Sequence, residues 1–279
     1  MDRRLGDVVA RGSRSTVYAW GRGAVVKVPD PGIPEGWIHS EAVYTAAVRD
    51  AGAPAPRLLG VEHVDGRAVS VFERIEGVSM WEEVRDRPDR SATHGRLLAD
   101  LQVSLFALVP PISLPSQRDR LMCKIQRAAD DVDASLAMAS SILPCPTTAP
   151  RLCHGDLHPG NVIMSPAGPV IIDWFDVSRG DPVADIARTS LLLLPEAEAC
   201  PAHLPGAWTG PLVALAAAYF ERVTRRIVVD GDRLERWRAV EAAARLAEGV
   251  SQGALLAIWR RAARLVAVAG EPALHAVVN

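Results

Sequence analysis

The segment from Cys153 to Asn161 holds the densest cluster of side chains that could do chemistry. Asp156 and Asn161 lie five positions apart in this segment, and Asp173 follows the short apolar run 170–172. An ionised carboxylate can accept a proton from a hydroxyl group, and carboxylate and amide oxygens are ligands that Mg²⁺ prefers. An asparagine adds such a ligand without adding a negative charge. These residue types are the ones that phosphoryl transfer to a hydroxyl group requires.

This cluster resembles a known sequence pattern. Residues 154–161 read His-Gly-Asp-Leu-His-Pro-Gly-Asn and residues 172–174 read Ile-Asp-Trp, which is similar to the aminoglycoside phosphotransferase/choline kinase-like family. Gly-Asp-Pro at 180–182 and Asp-Ile-Ala at 185–187 also resemble the stretch that follows in that family. Its members are small-molecule kinases with a protein-kinase-like fold. The resemblance extends in order from Lys27 to Asp185 and fades over residues 111–150 and after about residue 195.

The resemblance implies a role for the polar residues of the cluster. It implies ATP and Mg²⁺ as cofactors, Asp156 as the catalytic base, and Asn161 and Asp173 as ligands of the metal. The implied acceptor is a hydroxyl group of a small molecule, such as an antibiotic, a sugar or an amino alcohol. One of the carboxylates at 181 and 185 would hold the backbone of the loop.

Lys27 is the next strongest signal in the sequence. It stands in the run Ala-Val-Val-Lys-Val at 24–28, where burial of an ammonium group is costly unless an anion accompanies it. The resemblance has Lys27 bind the α- and β-phosphates and pair with a glutamate of the following helix. Glu41 is the better candidate for this glutamate, and Glu35 is the weaker one. The alternative is an exposed lysine on an edge strand.

Two further segments are predicted to contact the nucleotide. The turn at 12–15, Gly-Ser-Arg-Ser, lies where a phosphate-covering loop belongs, and the hydroxyl groups of Ser13 or Ser15 could contact phosphate beside backbone N–H groups. The alternative for this turn is an ordinary hairpin. The resemblance also implies an interlobe link at 72–75, in which main-chain groups of Glu73 and Ile75 meet the edge of the adenine.

Strand patterns dominate the first 75 residues, and helix patterns dominate the rest. The predicted strands cover 8–10, 16–20, 24–28, 57–63, 67–75, 162–164 and 170–172. The predicted helices cover 41–49, 118–141, 211–226, 233–248 and 254–268, and leucines between 97 and 108 also repeat at helical spacing. Ser40 is predicted to cap the first helix, and Asp65 and Gly66 to form a type I′ hairpin turn.

The predicted fold class is therefore α+β, which the resemblance identifies as a two-lobed protein-kinase-like fold. An N-terminal nucleotide-binding lobe, residues 1–75, would contain an antiparallel sheet with one helix. A larger and mainly helical lobe for catalysis and substrate binding, residues 76–279, would follow it.

Composition excludes several classes of protein. The chain has 279 residues, of which 49% are hydrophobic, and a formal charge of −2, so neither disorder nor an electrostatic footprint for nucleic acid is indicated. No uncharged, proline-free run reaches the roughly 20 residues that a membrane span needs. The four cysteines show no zinc-site spacing and are predicted to be buried, reduced thiols. We expect a cytoplasmic monomer or weak dimer that binds neither nucleic acid nor membrane.

Three alternatives to a small-molecule kinase remain open from the sequence. The first is a nucleotide-binding regulator of the same fold that has lost turnover. The second is a metal hydrolase, since His154, Asp156 and His158 alternate, although hydrogen bonds that brace the loop are the preferred role for both histidines. The third is a protein Ser/Thr kinase, but no Ala-Pro-Glu segment follows Asp173.

The charge balance favours an acceptor of low net charge. Residues 177–279 hold 11 acidic and 12 basic side chains, and residues 111–150 hold four of each. A pocket for a polycationic aminoglycoside would be expected to be rich in carboxylates. A sugar, an amino alcohol or a weakly basic antibiotic is therefore the first hypothesis, and an aminoglycoside is the second.

Overall fold

The structure is a computed structural model that describes residues 4–128, 149–193, 209–246 and 248. The described residues fall into two compact units. The first unit lies within 1–83 and 159–176, and the second lies within 84–158 and 177–279. The N-terminal segment is thus grouped with a later one, 159–176. The lobe boundary between residues 75 and 76 stays a prediction.

The secondary-structure elements are numbered along the described chain. The strands are β1 (Val8–Arg11), β2 (Ser15–Ala19), β3 (Ala24–Pro29), β4 (Leu58–Val64), β5 (Arg67–Glu73), β6 (Val78–Ser79), β7 (Arg151–Cys153), β8 (Val162–Ser165), β9 (Gly168–Ile171) and β10 (Ser178–Gly180). The α-helices are α1 (Glu35–Asp50), α2 (Met80–Asp86), α3 (Ser91–Phe106), α4 (Gln117–Ala128), α5 (Pro182–Leu192), α6 (Thr209–Arg226) and α7 (Gly231–Leu246).

The first unit contains a five-stranded antiparallel sheet in the order β1-β2-β3-β5-β4, so β3 is the central strand. Valines of β3 and β5 pack with Trp20 on one face of it, as expected for β-branched residues in a buried sheet. Asp65 and Gly66 join β4 to β5, and both have the positive φ that a type I′ turn requires. The predicted hairpin is confirmed.

Helix α1 packs on β4 and β5. It begins at Glu35 rather than at Glu41, so the predicted cap at Ser40 is wrong. The Ser40 hydroxyl instead donates to the carbonyl of Gly36 at 2.7 Å, inside the helix. The first turns of α1 were not predicted from the sequence, because Gly36 has a low helix propensity.

A second, three-stranded antiparallel sheet in the order β6-β8-β9 also belongs to the first unit. Val162 at the start of β8 pairs with Ile171 at the end of β9. This hairpin therefore brings the residues before Val162 and those after Ile171 to one end of the sheet.

The second unit is mainly helical. Helix α3 packs along α6, while α7 packs against α5 and α4 over a core that includes Leu121, Ile125, Ala184, Trp237 and Val240. Strands β7 and β10 form a short antiparallel pair in this unit. The helices predicted at 211–226 and 233–248 are confirmed to within two residues at each end.

These elements confirm the predicted α+β class, with an N-terminal antiparallel sheet and helix followed by a mainly helical part. Helix α4 covers the first half of the helix predicted at 118–141, and the helix predicted at 254–268 lies outside the described residues. None of the described helices combines the length and the apolar character that a membrane crossing needs.

One cysteine differs from its prediction. Cys153 is buried, as expected, but Cys123 is exposed because it lies on the face of α4 opposite the buried Leu121 and Ile125. The cysteines at 145 and 200 lie outside the described residues.

Gly95 marks a close approach of the α3 and α6 backbones. A Cβ atom at this position would overlap the Leu215 carbonyl oxygen. We expect Gly95→Ala to lower the free energy of unfolding by about 1–3 kcal/mol, because packed helices must separate to admit the methyl group. Chemical denaturation measures this change. Gly210→Ala is the control, since its Cβ meets open space in α6, and an equal loss in both variants would contradict the close approach.

Candidate active site

Lys27 lies at the centre of an ionic cluster in the first unit. Its neighbours Val26 and Val28 are buried in the core of the sheet, and the alternation of side chains along β3 puts Lys27 on the opposite face. The Lys27 Nζ atom is 2.6 Å from Glu41 Oε1 and 3.0 Å from Asp173 Oδ1. Because β3 is the central strand, Lys27 does not lie on an edge.

Helix α1 supplies the glutamate of this cluster. Ile38, Glu41 and Thr45 share its buried face, so Glu41 lies toward the sheet. Glu35, the weaker candidate for pairing with Lys27, is 3.4 Å from a nitrogen of His39 instead.

Electrostatics keep Lys27 protonated. Burial by itself lowers the pKa of the Lys27 ammonium group, but the carboxylates of Asp173 and Glu41 outweigh this effect and raise the pKa above its ordinary value. Burial also raises the pKa of Glu41, which the positive charge of Lys27 counteracts. The cluster therefore presents a fixed cation between two carboxylates.

Asn161 and Asp173 lie at the same end of the β8–β9 hairpin. Asn161 ends the 3-10 turn Pro159–Asn161 just before β8, and Asp173 follows β9 after one residue. The Asn161 carbonyl accepts a hydrogen bond from the Ile172 N–H at 2.9 Å. The structure thus brings the two predicted metal ligands to one place, where Asp173 also contacts Lys27.

The backbone at Asp173 adopts a left-handed conformation, with φ of 63°. Residues other than glycine adopt it rarely, and Asp is among those that tolerate it best. The following 3-10 turn is anchored on both sides: the Trp174 indole donates to the Ile171 carbonyl at 2.9 Å, and the Phe175 ring lies 5.1 Å from that of Trp37 on α1. The Asp173 side chain, just before this turn, is 43% exposed.

Asp156 lies in a loop of the second unit that α5 holds from one face. Asp185 accepts hydrogen bonds from the N–H groups of His154, at 3.3 Å, and Gly155, at 2.7 Å. Arg188 donates to Asp156 Oδ1 at 2.9 Å, and the Thr189 hydroxyl donates to a carbonyl of the same loop, at residue 157, at 3.0 Å. Helix positions i, i+3 and i+4 share a face, which explains how one helix reaches the whole loop.

Asp185, rather than Asp181, holds the loop backbone. Burial raises the pKa of the Asp185 carboxyl group, while hydrogen bonds from Gln102 and Gly155 favour its ionised form. Asp181 caps α5 instead, where it accepts the N–H of Val183 at 2.9 Å.

The two histidines of the loop differ in their surroundings. His154 is fully buried, and its Nδ1 atom accepts the Asp156 N–H at 3.2 Å. His158 Nε2 lies 3.9 Å from Asp156 Oδ2. Within the described part of the chain, no group of three or more His, Cys, Asp or Glu side chains is arranged to hold a metal ion by itself.

The two serines of the first turn are not equivalent. Gly12 donates to the Ser15 carbonyl at 2.8 Å and closes the turn between β1 and β2. Ser13 is exposed at its tip, whereas Ser15 is buried at the start of β2. Arg14, between them, lies over the ring of Trp37 at 5.9 Å. A phosphate contact at this turn is therefore better served by Ser13 than by Ser15.

Glu73 and Ile75 lie at the end of β5 and just after it. The Glu73 N–H donates to the Arg57 carbonyl at 2.9 Å, so this group is already used within the sheet. The contact of both residues with adenine stays a prediction.

Sequence reasoning missed the residues behind the Asp156 loop. Gln102 of α3 donates to Asp185 at 2.9 Å, and Tyr219 of α6 donates to Gln102. Arg188 is buried on α5, three positions after Asp185, and this spacing could have revealed it. Lys124 pairs with Glu248 at 2.9 Å, and it is one of only two lysines among the 31 basic residues.

The chain is similar to known proteins both in sequence and in structure. The model of the phosphotransferase enzyme family (APH) matches residues 8–227. A search of curated protein sequences finds no significant match.

Solved structures share this fold. An aminoglycoside-3'-phosphotransferase of type VIII is 21% identical, with a TM-score of 0.63 over 87% of this chain and 93% of that one. A thermostable mutant of aminoglycoside phosphotransferase APH(4)-Ia, in a ternary complex with AMP-PNP and hygromycin B, is 20% identical, with a TM-score of 0.61 over 93% of both chains. A choline/ethanolamine kinase family protein from Mesorhizobium loti is 18% identical, with a TM-score of 0.52 over 97% of this chain and 90% of that one. These likenesses confirm the predicted kinase-like fold.

Proposed function

The chain belongs to the phosphotransferase enzyme family, and on this premise we propose that it transfers the γ-phosphate of ATP to a hydroxyl group of a small molecule. The observation that carries the proposal is the cluster of Lys27, Glu41 and Asp173 in the first unit. A lysine that is kept protonated on a central strand can bind nucleotide phosphates, and a neighbouring exposed carboxylate can bind the metal that accompanies them.

Asp156 is the proposed catalytic base. The oxygen of the acceptor hydroxyl attacks the γ-phosphorus, its proton passes to the Asp156 carboxylate, and the bond to the β,γ-bridging oxygen breaks to release ADP. The backbone of the Asp156 loop is held by Asp185, so the carboxylate is fixed before the substrates bind. Lys27 binds the α- and β-phosphates, and Ser13 and nearby N–H groups cover them.

Asn161 and Asp173 are the residues proposed to hold Mg²⁺. They supply one amide and one carboxylate oxygen at the same end of the β8–β9 hairpin. This donor set suits Mg²⁺, which usually takes one or two carboxylates from the protein and completes its octahedron with phosphate oxygens and water. When bound, the ion would neutralise charge on the phosphates.

The acceptor is proposed to have low net charge, since the segments expected to shape its pocket show no excess of acidic residues. Sugars, amino alcohols and weakly basic antibiotics come first, and aminoglycosides come second. The test of the function is ATP consumption with a panel of these compounds.

Salt dependence separates the two acceptor classes. We expect kcat/KM for a neutral hydroxylated acceptor to change less than about twofold between low and high salt, because no long-range attraction is involved. The same ratio is measured for a polycationic aminoglycoside as the control. Efficient phosphorylation of the polycation that falls steeply with salt would contradict the assignment to low net charge.

A further inference from the structure

The second unit contains a partly buried series of alternating charges that ends at Asp156. Arg188 Nη2 lies 2.9 Å from Asp156 Oδ1 and 3.1 Å from Glu248 Oε2. Glu248 in turn lies 2.9 Å from Lys124 Nζ on α4. Positive and negative groups therefore alternate from Lys124 to Asp156.

The burial of Arg188 makes this arrangement consequential. Its side chain is only 4% exposed, whereas that of Asp156 is 26% exposed. A buried guanidinium group is costly unless anions compensate its charge, and here Asp156 and Glu248 both do so. The same nitrogen bonds both carboxylates, so the position of Arg188 is tied to each of them.

We propose that Arg188 is the positioning residue of the catalytic carboxylate: it fixes the orientation of Asp156 and keeps it ionised, while Glu248 and Lys124 hold Arg188 in place. This inference rests on the proposed role of Asp156 as the base. The loop backbone is already held by Asp185 one helical turn earlier on α5, so backbone and side chain of the base are fixed by two separate contacts of one helix.

Other charged groups lie next to this series of charges and influence how the ionisation of Asp156 depends on pH. Asp156 is also approached by His158 within the loop, and Glu248 is approached by Arg245 at 3.8 Å. Glu241 of α7 is buried nearby: burial raises its pKa to about 8, against the attraction of Arg188 and Lys124, with Asp185 and Glu248 adding to the rise. Glu241 is therefore protonated below that pH and adds no negative charge there.

The test compares Arg188→Gln with the wild-type enzyme in the steady state. We expect kcat to fall at least about tenfold and KM for ATP to stay within about twofold, because only the base is disturbed. We also expect the acid limb of the kcat–pH profile to move upward by about one pH unit or more, since the ionised carboxylate loses its cation. The profile is repeated in His158→Gln, because the His158 ring lies 3.9 Å from the Asp156 carboxylate.

Arg238→Gln is the matched control. Arg238 is a partly buried arginine of the same unit that bonds Glu235 and Ser190 and not Asp156. The positioning role would be overturned if the acid limb of the kcat–pH profile did not move in Arg188→Gln and if its losses of kcat and of melting temperature equalled those of the control.

If Arg188→Gln fails to fold, Arg188→Lys is tested instead. We expect its kcat to fall severalfold while the acid limb stays in place, because the lysine keeps the positive charge but not the planar guanidinium group. A wild-type kcat in Arg188→Lys would overturn the proposal.

A double-mutant cycle separates this inference from the proposed function. In an Asp156→Asn background, Arg188→Gln should cause no further loss of kcat, because the group that it positions is gone. Additive losses would overturn the inference while leaving the base assignment intact. Near-normal turnover of Asp156→Asn alone would instead overturn the proposed function.

Discussion

Asp156→Asn is expected to lower kcat by about 100- to 10,000-fold while the affinity for Mg-ATP stays within about twofold of the wild type. The amide has the size of the carboxylate, and its oxygen can still accept the hydrogen bond from Arg188. It cannot accept the proton of the acceptor hydroxyl, so only the chemical step is lost. Steady-state kinetics and calorimetric titration with Mg-ATP measure the two quantities.

The control for this variant is Asp119→Asn. Asp119 is an exposed carboxylate in the first turn of α4, in the same unit, and its conversion should leave kcat unchanged. Turnover of Asp156→Asn near the wild-type level would show that the carboxylate is not the base.

Asp173→Ala is expected to weaken Mg-ATP binding by about 10- to 100-fold, which corresponds to the loss of roughly 1.5–3 kcal/mol for one charge-assisted contact. The variant removes one of the two proposed protein ligands of the metal and also one of the two carboxylates beside Lys27. In the absence of Mg²⁺, ATP should bind the variant at least as tightly as the wild type, because a negative charge near the phosphates is gone. Titration calorimetry with and without Mg²⁺ measures both effects.

Asp50→Ala is the control for this second variant. Asp50 is an exposed carboxylate at the end of α1 in the same unit, and its removal should change neither affinity. Equal weakening of ATP binding by Asp173→Ala with and without Mg²⁺ would assign Asp173 a structural role and not a metal-binding one.

The sequence was most informative where chemistry restricts the residue type. A lone lysine in a valine run identified Lys27, which lies on a central strand. An Asp and an Asn at fixed spacing identified Asp156, in the loop that α5 holds, and Asn161, at the end of the β8–β9 hairpin. Strand-like runs between turn residues, with the Asp65-Gly66 turn, predicted an antiparallel sheet, which the structure confirms. The start of α1 could not be predicted, because Gly36 has a low helix propensity. The packing of α1 on the sheet overrides this low propensity.

The residues that hold the Asp156 loop in place do so through tertiary contacts. Arg188 meets Asp156 across 32 positions and Gln102 meets Asp185 across 83, separations that no local pattern encodes. The spacing of residues along the sequence shows which of them share a helix face, but it does not show which residues elsewhere in the chain this face contacts. The sequence therefore predicted the candidate reactive groups and one of the two carboxylates that could hold the loop, Asp185, but it did not predict Arg188 or Gln102.

The most direct test of phosphoryl transfer to a small-molecule hydroxyl follows both products of one reaction mixture. The enzyme is incubated with Mg-ATP and with neutral sugars, amino alcohols, weakly basic antibiotics and aminoglycosides in turn, and ADP and acceptor masses are recorded together. We predict that at least one acceptor gains the mass of a phosphoryl group in amounts equal to the ADP formed, and that Asp156→Asn abolishes both. Binding of Mg-ATP, shown by a raised melting temperature, without ADP formation with any acceptor would contradict the account and identify a nucleotide-binding regulator.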